Sequence, residues 1–165
     1  MADSYTHTVD VRFRDLDPRS HANHAVYVSY CEQAKAAFFE DVLETSLADA
    51  PTVIRSLDVE FERAVTLGDR VEVSLEVSHL GRTSYSLTFS LAVDDERVAT
   101  ARTASVVLGE DGTPTPLPEA WRERLEPYLD EDDSPDSPQT RIRDRPFRAV
   151  RRSPGRRRLS ARRTR

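Results

Sequence analysis

The sequence predicts an α+β domain over residues 1–130, with one long helix packed against a five-stranded antiparallel sheet. Three observations carry that expectation. One N-terminal segment and four segments between residues 53 and 108 alternate apolar and polar residues, the pattern of half-buried strands. The stretch from about residue 23 to 47 changes to helical spacing, with no Gly or Pro inside. The outer strand faces are polar, which argues against helices on both sides of the sheet.

Taken in order, residues 6–14 (THTVDVRFR) put Val9, Val11 and Phe13 on one face of a first strand. A polar loop broken by Pro18 follows. The helix then carries Tyr27, Tyr30, Cys31, Ala34, Ala37, Phe38 and Val42 at spacings of three and four, and Pro51 closes the segment. The small residues Ala34, Ala36 and Ala37 allow a sheet to approach closely. Val53, Leu57, Val59, Phe61 and Val65 share a face of the second strand, and Gly68-Asp69 turns into Val71, Val73, Leu75 and Val77. Tyr85, Leu87, Phe89, Leu91 and Val93 follow Gly81. A turn at Asp94-Asp95 leads to Val98, Ala104, Val106 and Leu108. A short helix with Trp121, Leu125 and Leu129 ends the domain. A sheet of this kind has exposed edges, so pairing with further copies, as a homodimer or homotetramer, is expected.

The net charge of −5 conceals two opposed regions. Residues 1–133 carry 27 acidic and 12 basic side chains, whereas residues 134–165 carry 2 acidic and 12 basic ones. The segment 131–165, rich in Arg and Pro and poor in apolar residues, is expected to be a disordered tail rather than a nucleic-acid-binding arm. Every basic residue except Lys35 is Arg. Dense carboxylates with almost no Lys point to a halophilic, high-salt cytosol; a GC-rich genome favours Arg over Lys as well. No apolar run approaches the roughly 20 residues that span a bilayer. The N-terminus lacks the basic start and apolar core of a signal peptide. A cytoplasmic protein without membrane contact is the expectation. The single cysteine, Cys31, excludes an internal disulfide and a cysteine-cluster metal site.

Residues 11–35 (VRFRDLDPRSHANHAVYVSYCEQAK) carry the chemistry. Asp15, Asp17, His21, Asn23 and His24 lie between a strand end and a helix start. A helix N-terminus presents unpaired backbone N–H groups and a partial positive charge, able to polarise a carbonyl as negative charge develops. Each residue also has a plainer role. Asp17 before Pro18 suits a turn, Asn23 suits a helix cap, and Asp15 suits a structural pairing with Arg12 or Arg14. His21 and His24 have no third ligand, so no metal site is expected.

The loop Asp15-Leu16-Asp17-Pro18-Arg19-Ser20-His21-Ala22-Asn23, with Tyr27 following, resembles thioesterases of the 4-hydroxybenzoyl-CoA type in the hotdog superfamily. Those carry a D-x-D-P-x-G-H-x-N-like loop between a strand and the long helix. Residues 58–77 (DVEFERAVTLGDRVEVSLEV) resemble the family's strand–turn–strand, and the similarity spans about residues 5–129. The resemblance implies a hotdog fold, a five-stranded antiparallel sheet wrapped around a long central helix. It also implies an acyl-CoA thioesterase that releases a free acid and CoA, with Asp17 as nucleophile or general base. The backbone N–H near His24 polarises the thioester carbonyl, with help from the His24 side chain, and Asn23 completes the catalytic set. Arg63, Arg82, Thr83 and Ser84 are candidates for the CoA phosphates, and Tyr27 for substrate contact. No cofactor is implied, since CoA is part of the substrate, and acyl pockets are expected at subunit interfaces. Ser20 departs from the family, which usually has Gly there. A non-catalytic acyl-CoA-binding hotdog protein and an enoyl-thioester hydratase are the alternatives; neither frees a thiol from acyl-CoA.

Overall fold

The computed structural model describes residues 2–130, so the expected tail lies outside the described residues. The chain runs through β1 (Tyr5–Asp10), a 3-10 turn (Phe13–Asp15), α1 (His24–Asp41), β2 (Thr52–Phe61) and β3 (Arg70–Leu80). It continues through β4 (Ser84–Val93), β5 (Glu96–Val107), α2 (Glu119–Leu125) and a second 3-10 turn (Glu126–Tyr128). The strands form one sheet in the order β1-β3-β4-β5-β2, antiparallel at every step. The five strands expected from alternation are all present.

Strands β3 and β4 behave as their patterns require. Val71, Val73, Leu75 and Val77 face inward, as do Tyr85, Leu87, Phe89, Leu91 and Val93, and all are buried. Across the β4–β5 ladder Tyr85 opposes Ser105, Leu87 opposes Thr103 and Phe89 opposes Ala101. Asp94 and Asp95 make the two-residue turn with φ of 51° and 62°. Positive φ at both central positions marks a type I′ turn, whose twist matches antiparallel strands. Gly68, with φ of 94°, turns β2 into β3.

Helix α1 has 18 residues and packs on β1, β3 and β5 through Tyr27, Tyr30, Cys31, Ala34, Lys35, Phe38 and Phe39. Each large apolar side chain sealed there contributes roughly 2–3 kcal/mol by removal from water. Phe38 stacks edge-on against Tyr5 at 5.4 Å and Tyr128 at 5.1 Å, which ties the helix to both ends of the domain. The C-terminal residues close the core from the far end, with Trp121 against Phe39 at 5.5 Å and Leu129 bridged to Val77.

Three local expectations need correction. Helix α1 stops at Asp41 rather than near residue 47, because the chain turns at Glu44, where φ is +53°. Phe13 does not continue the first strand's inward face; the chain leaves the sheet into the 3-10 turn and Phe13 is 81% exposed. The apolar face of β2 is largely uncovered: Ile54, Leu57 and Phe61 are 43%, 38% and 51% exposed. That strand is a sheet edge, and the helix packs on β1, β3 and β5 instead. Among the described residues no helix is long and apolar enough to cross a membrane.

Candidate active site

The polar loop is built from the backbone outward. Leu16 bridges Ala22 and His21 bridges Thr66, so the loop closes on itself and is fastened to the segment entering β3. Asp17 N–H donates to His21 O at 2.7 Å, Ser20 N–H to Asp17 O at 3.0 Å, and Ala22 N–H to Val65 O at 2.7 Å. Ser20 is strained by this tight turn, since its φ of +64° lies in the left-handed region. The family's usual Gly would adopt that φ freely.

Within this frame Asp17 is half-buried. Its Oδ1 accepts the Arg19 N–H at 2.8 Å and the His21 N–H at 3.2 Å. The Arg19 bond does most to hold the carboxyl below its ordinary pKa; partial burial opposes it and the His21 bond reinforces it. Asp17 is therefore ionised at neutral pH. Its Oδ2 has no hydrogen-bond partner among the described residues.

Asp15 is the structural carboxylate, but its partners are not the arginine side chains expected. Its Oδ2 accepts the Tyr30 hydroxyl at 3.0 Å and the Arg12 backbone N–H at 2.9 Å. Its carbonyl takes the Asn23 N–H at 2.8 Å. Burial, then this hydrogen bond, pushes the Tyr30 phenol above its usual range.

Asn23 caps α1, with Oδ1 accepting Ala25 N–H at 3.0 Å. That bond, together with Val26 N–H to Asn23 O, uses two of the orphan donors of the first turn. The His24 N–H has no partner among the described residues. His24 itself is exposed, so its ring stands at the cleft mouth rather than within a packed network.

Asp17, His21, His24, Tyr27, Phe61 and Arg63 meet around a cleft of about 390 Å³. Tyr27 is buried beneath it, its hydroxyl donating to Arg63 O at 3.4 Å and its ring edge-on to Phe61 at 5.1 Å. Arg63 reaches the cleft but is not a free cation. Its guanidinium pairs with Glu96 and with Val93 O, so a phosphate has to compete with a carboxylate there. Phe61, absent from the sequence reading of the site, is brought in by topology: its partner Ala99 on β5 sits where β2 runs out toward the loop.

Arg82, Thr83 and Ser84 do not join this cleft. They line a second cavity of about 630 Å³ at the opposite end of the sheet, with Arg55, His79 and Arg122. The sequence reading grouped them with Arg63, and the fold separates them. Cys31 is no nucleophile, because burial pushes its thiol up to about 12. Among the described residues no three His, Cys, Asp or Glu side chains are grouped closely enough to hold a metal ion.

Comparison with known proteins adds to this geometry. The family model of the thioesterase-like superfamily matches residues 11–125. A 1,4-dihydroxy-2-naphthoyl-CoA hydrolase of Synechococcus elongatus is 29% identical over 123 residues, covering 70% of this chain and 90% of its own. A thioesterase of Thermus thermophilus, solved with coenzyme A and zinc, is 38% identical with a TM-score of 0.69. That match covers 73% of this chain and 90% of the other. A Bacillus stearothermophilus protein, described as a predicted thioesterase, gives a TM-score of 0.72 at 21% identity. It covers 78% of this chain and 98% of its own, a likeness that concerns the fold alone.

Proposed function

The chain belongs to the thioesterase-like superfamily, and from that premise we propose that it is an acyl-CoA thioesterase with Asp17 as its reactive carboxylate. One observation carries the reading. The ionised Asp17, with Oδ2 unpartnered, and the unpartnered His24 N–H at the start of α1 line one cleft. A thioester carbonyl lodged at the helix start has its oxygen over that N–H, where the helix end favours developing negative charge. Asp17 then attacks the carbonyl carbon, or takes a proton from the water that does. The C–S bond breaks, and the sulfur leaves as thiolate and collects a proton; where Asp17 itself attacks, a water then cleaves the acyl–Asp17 anhydride, so by either route one water is consumed and the products are a free acid and CoA.

Asn23 serves this chemistry by capping the helix that presents the N–H. The His24 ring adds a second donor at the mouth of the cleft, and Tyr27 with Phe61 forms an apolar floor for the acyl group. The activity is assigned to residues 1–130 and none of it to the Arg-rich remainder.

The reading includes a dimer built on β2. The sheet has two edges, β1 and β2, and β2 is the longer one with Ile54, Leu57 and Phe61 uncovered. Such an edge invites strand pairing. Antiparallel pairing of two copies puts the Phe61 end of one strand beside the Thr52 end of the other, which places each acyl cleft at the interface. A panel of acyl-CoA esters with detection of free thiol tests the function. Thiol release from at least one ester is expected, and hydration or binding without thiol release overturns the reading.

A further inference from the structure

Phe61, Glu62, Arg63 and Ala64 form one wall of the Asp17 cleft. The sheet alone does not fix that wall. Strand β2 is an edge, its last ladder pair is Phe61 with Ala99, and Phe61 is half exposed. Beyond that pair the Glu62 and Arg63 N–H groups share one acceptor, Val98 O, at 2.9 and 3.1 Å. Regular backbone pairing thus ends where the cleft begins.

Side chains continue what the backbone stops. Arg97 Nε donates to Glu62 Oε1 at 2.6 Å, and the Arg63 guanidinium pairs with Glu96. The two ion pairs keep the antiparallel order of the β2–β5 ladder for two further residues. Charge alternates along each strand, so each cation faces a carboxylate and a one-residue slip would set like charges together. Glu96 and Arg97 open β5 straight after the Asp94-Asp95 turn, and neither lines the cleft.

The other end of the wall is tied to the Asp17 loop. Val65 O accepts the Ala22 N–H at 2.7 Å, and Thr66 bridges His21. Residues 61–66 therefore form a strap, with the β4–β5 hairpin holding one end and the Asp17 loop the other. Between them the Tyr27 hydroxyl donates to Arg63 O, and the Tyr27 ring meets Phe61 edge-on. A shift of the strap moves this aromatic floor relative to Asp17. Exposed ion pairs add little to overall stability, because water and salt screen them. Two of them at the frayed end of an edge strand act instead on where that end lies.

We propose that Glu96 and Arg97 are positioning residues, which hold the 61–66 strap through Arg63 and Glu62 and so set the space that decides which acyl groups fit. The proposal rests on the thioesterase reading and makes a hairpin outside the cleft a determinant of acyl selectivity. A wall held in one place rejects acyl groups that a loose wall admits, and selectivity is the ratio of kcat/KM values between substrates.

Thiol release by the full chain is compared across acyl-CoA esters of increasing acyl width. The proteins are wild type, Arg97→Gln, Arg97→Lys and the swapped pair Glu62→Arg/Arg97→Glu. Loss of Arg97 leaves the Arg63–Glu96 pair in place, and the coenzyme is common to every ester, so ratios between esters report on the acyl wall. Arg97→Gln should shrink the kcat/KM ratio between the best and worst esters by roughly tenfold, the lower end of what a pocket contact confers. Its kcat on the best ester and its melting temperature should stay near wild type. Arg97→Lys, which keeps the charge, and the swapped pair should recover the ratio. Unchanged ratios in Arg97→Gln, or ratios that neither rescue recovers, overturn the proposal. So does a joint fall in kcat and melting temperature with the ratio intact, the mark of a merely structural pair. Amide hydrogen exchange of residues 61–66 reads the strap without turnover. Exchange there should quicken in Arg97→Gln, and wild-type exchange overturns the proposal. If wild type frees thiol from no ester, quickened exchange leaves the strap standing and removes the hydrolase reading instead.

Discussion

The Tyr30 hydroxyl, two turns into α1, donates to Asp15 Oδ2 at 3.0 Å and so ties the helix to the loop that carries Asp17. Asp15 in turn holds Asn23, the cap of the same helix, through its carbonyl at 2.8 Å. The Asp17 loop and the helix start are thus positioned by one shared brace.

Removing that brace is expected to loosen the site without removing any reacting group. Tyr30→Phe keeps the ring packing and deletes a partly buried bond to a carboxylate, which should cost about 1–2 kcal/mol of stability in chemical denaturation. The kcat should fall while KM stays near wild type, because the alignment of Asp17 with the His24 N–H suffers first. An unchanged kcat in the folded variant would show that the loop holds itself.

Ser20→Gly should stabilise the protein. A side chain at φ of +64° is held in a left-handed conformation that costs a non-glycine residue roughly 1–2 kcal/mol. Glycine's greater freedom in the unfolded chain offsets about 0.4–1 kcal/mol of that gain. A net rise in melting temperature is expected, and a clear drop contradicts the strain assigned to this turn.

The pH dependence follows from Asp17. Its folded-state pKa lies below the ordinary value of 3.8, so its stabilising contribution is present above that value and fades as pH falls through the lower folded one. The acid limb of kcat/KM for thiol release, which reports the free protein, should therefore lie at or below about pH 4. A limb centred near 6.5, the ordinary histidine value, would assign the base to an imidazole instead.

The edge strand makes a further prediction. Leu57 is 38% exposed at the centre of β2, and its partner Thr103 sits on the neighbouring strand. Leu57→Arg places a charge where a second copy is expected to pair. Light scattering should then report a monomer where wild type is at least a dimer, with the circular dichroism of the sheet preserved. A wild-type protein that is strictly monomeric and fully active contradicts the shared-cleft arrangement.

Much of this could be read from residue order alone, and the exceptions have physical causes. Val71 to Val77 and Tyr85 to Val93 alternate strictly because β3 and β4 lie inside the sheet under the helix, so their pattern reports their burial. Leu57 and Phe61 carry the same pattern yet stay exposed, since alternation cannot tell a central strand from an edge strand. Phe13 continues an alternation that the backbone abandons for a 3-10 turn. Nothing in the residue order marks Lys35 as buried, yet it is 2% exposed, with its ammonium 5.9 Å from the Phe39 ring and Glu32 as its neighbour. The loop from Asp15 to His24 was legible because its residues are close in sequence. The separation of Arg63 from Arg82 was not, because it depends on how strands distant in sequence align.

The central claim is tested most directly by thiol release from acyl-CoA in Asp17→Asn, measured beside wild type at a salt concentration where both are folded. Asparagine suits the turn as well as aspartate does but supplies no basic or nucleophilic carboxylate. The variant should keep wild-type melting and substrate binding while turnover drops at least about a hundredfold, the lower range for losing a positioned acid or base. His24→Ala, which keeps the backbone N–H, should lose less. Near-wild-type turnover in a folded Asp17→Asn protein would contradict the account and leave the loop as a helix-capping turn.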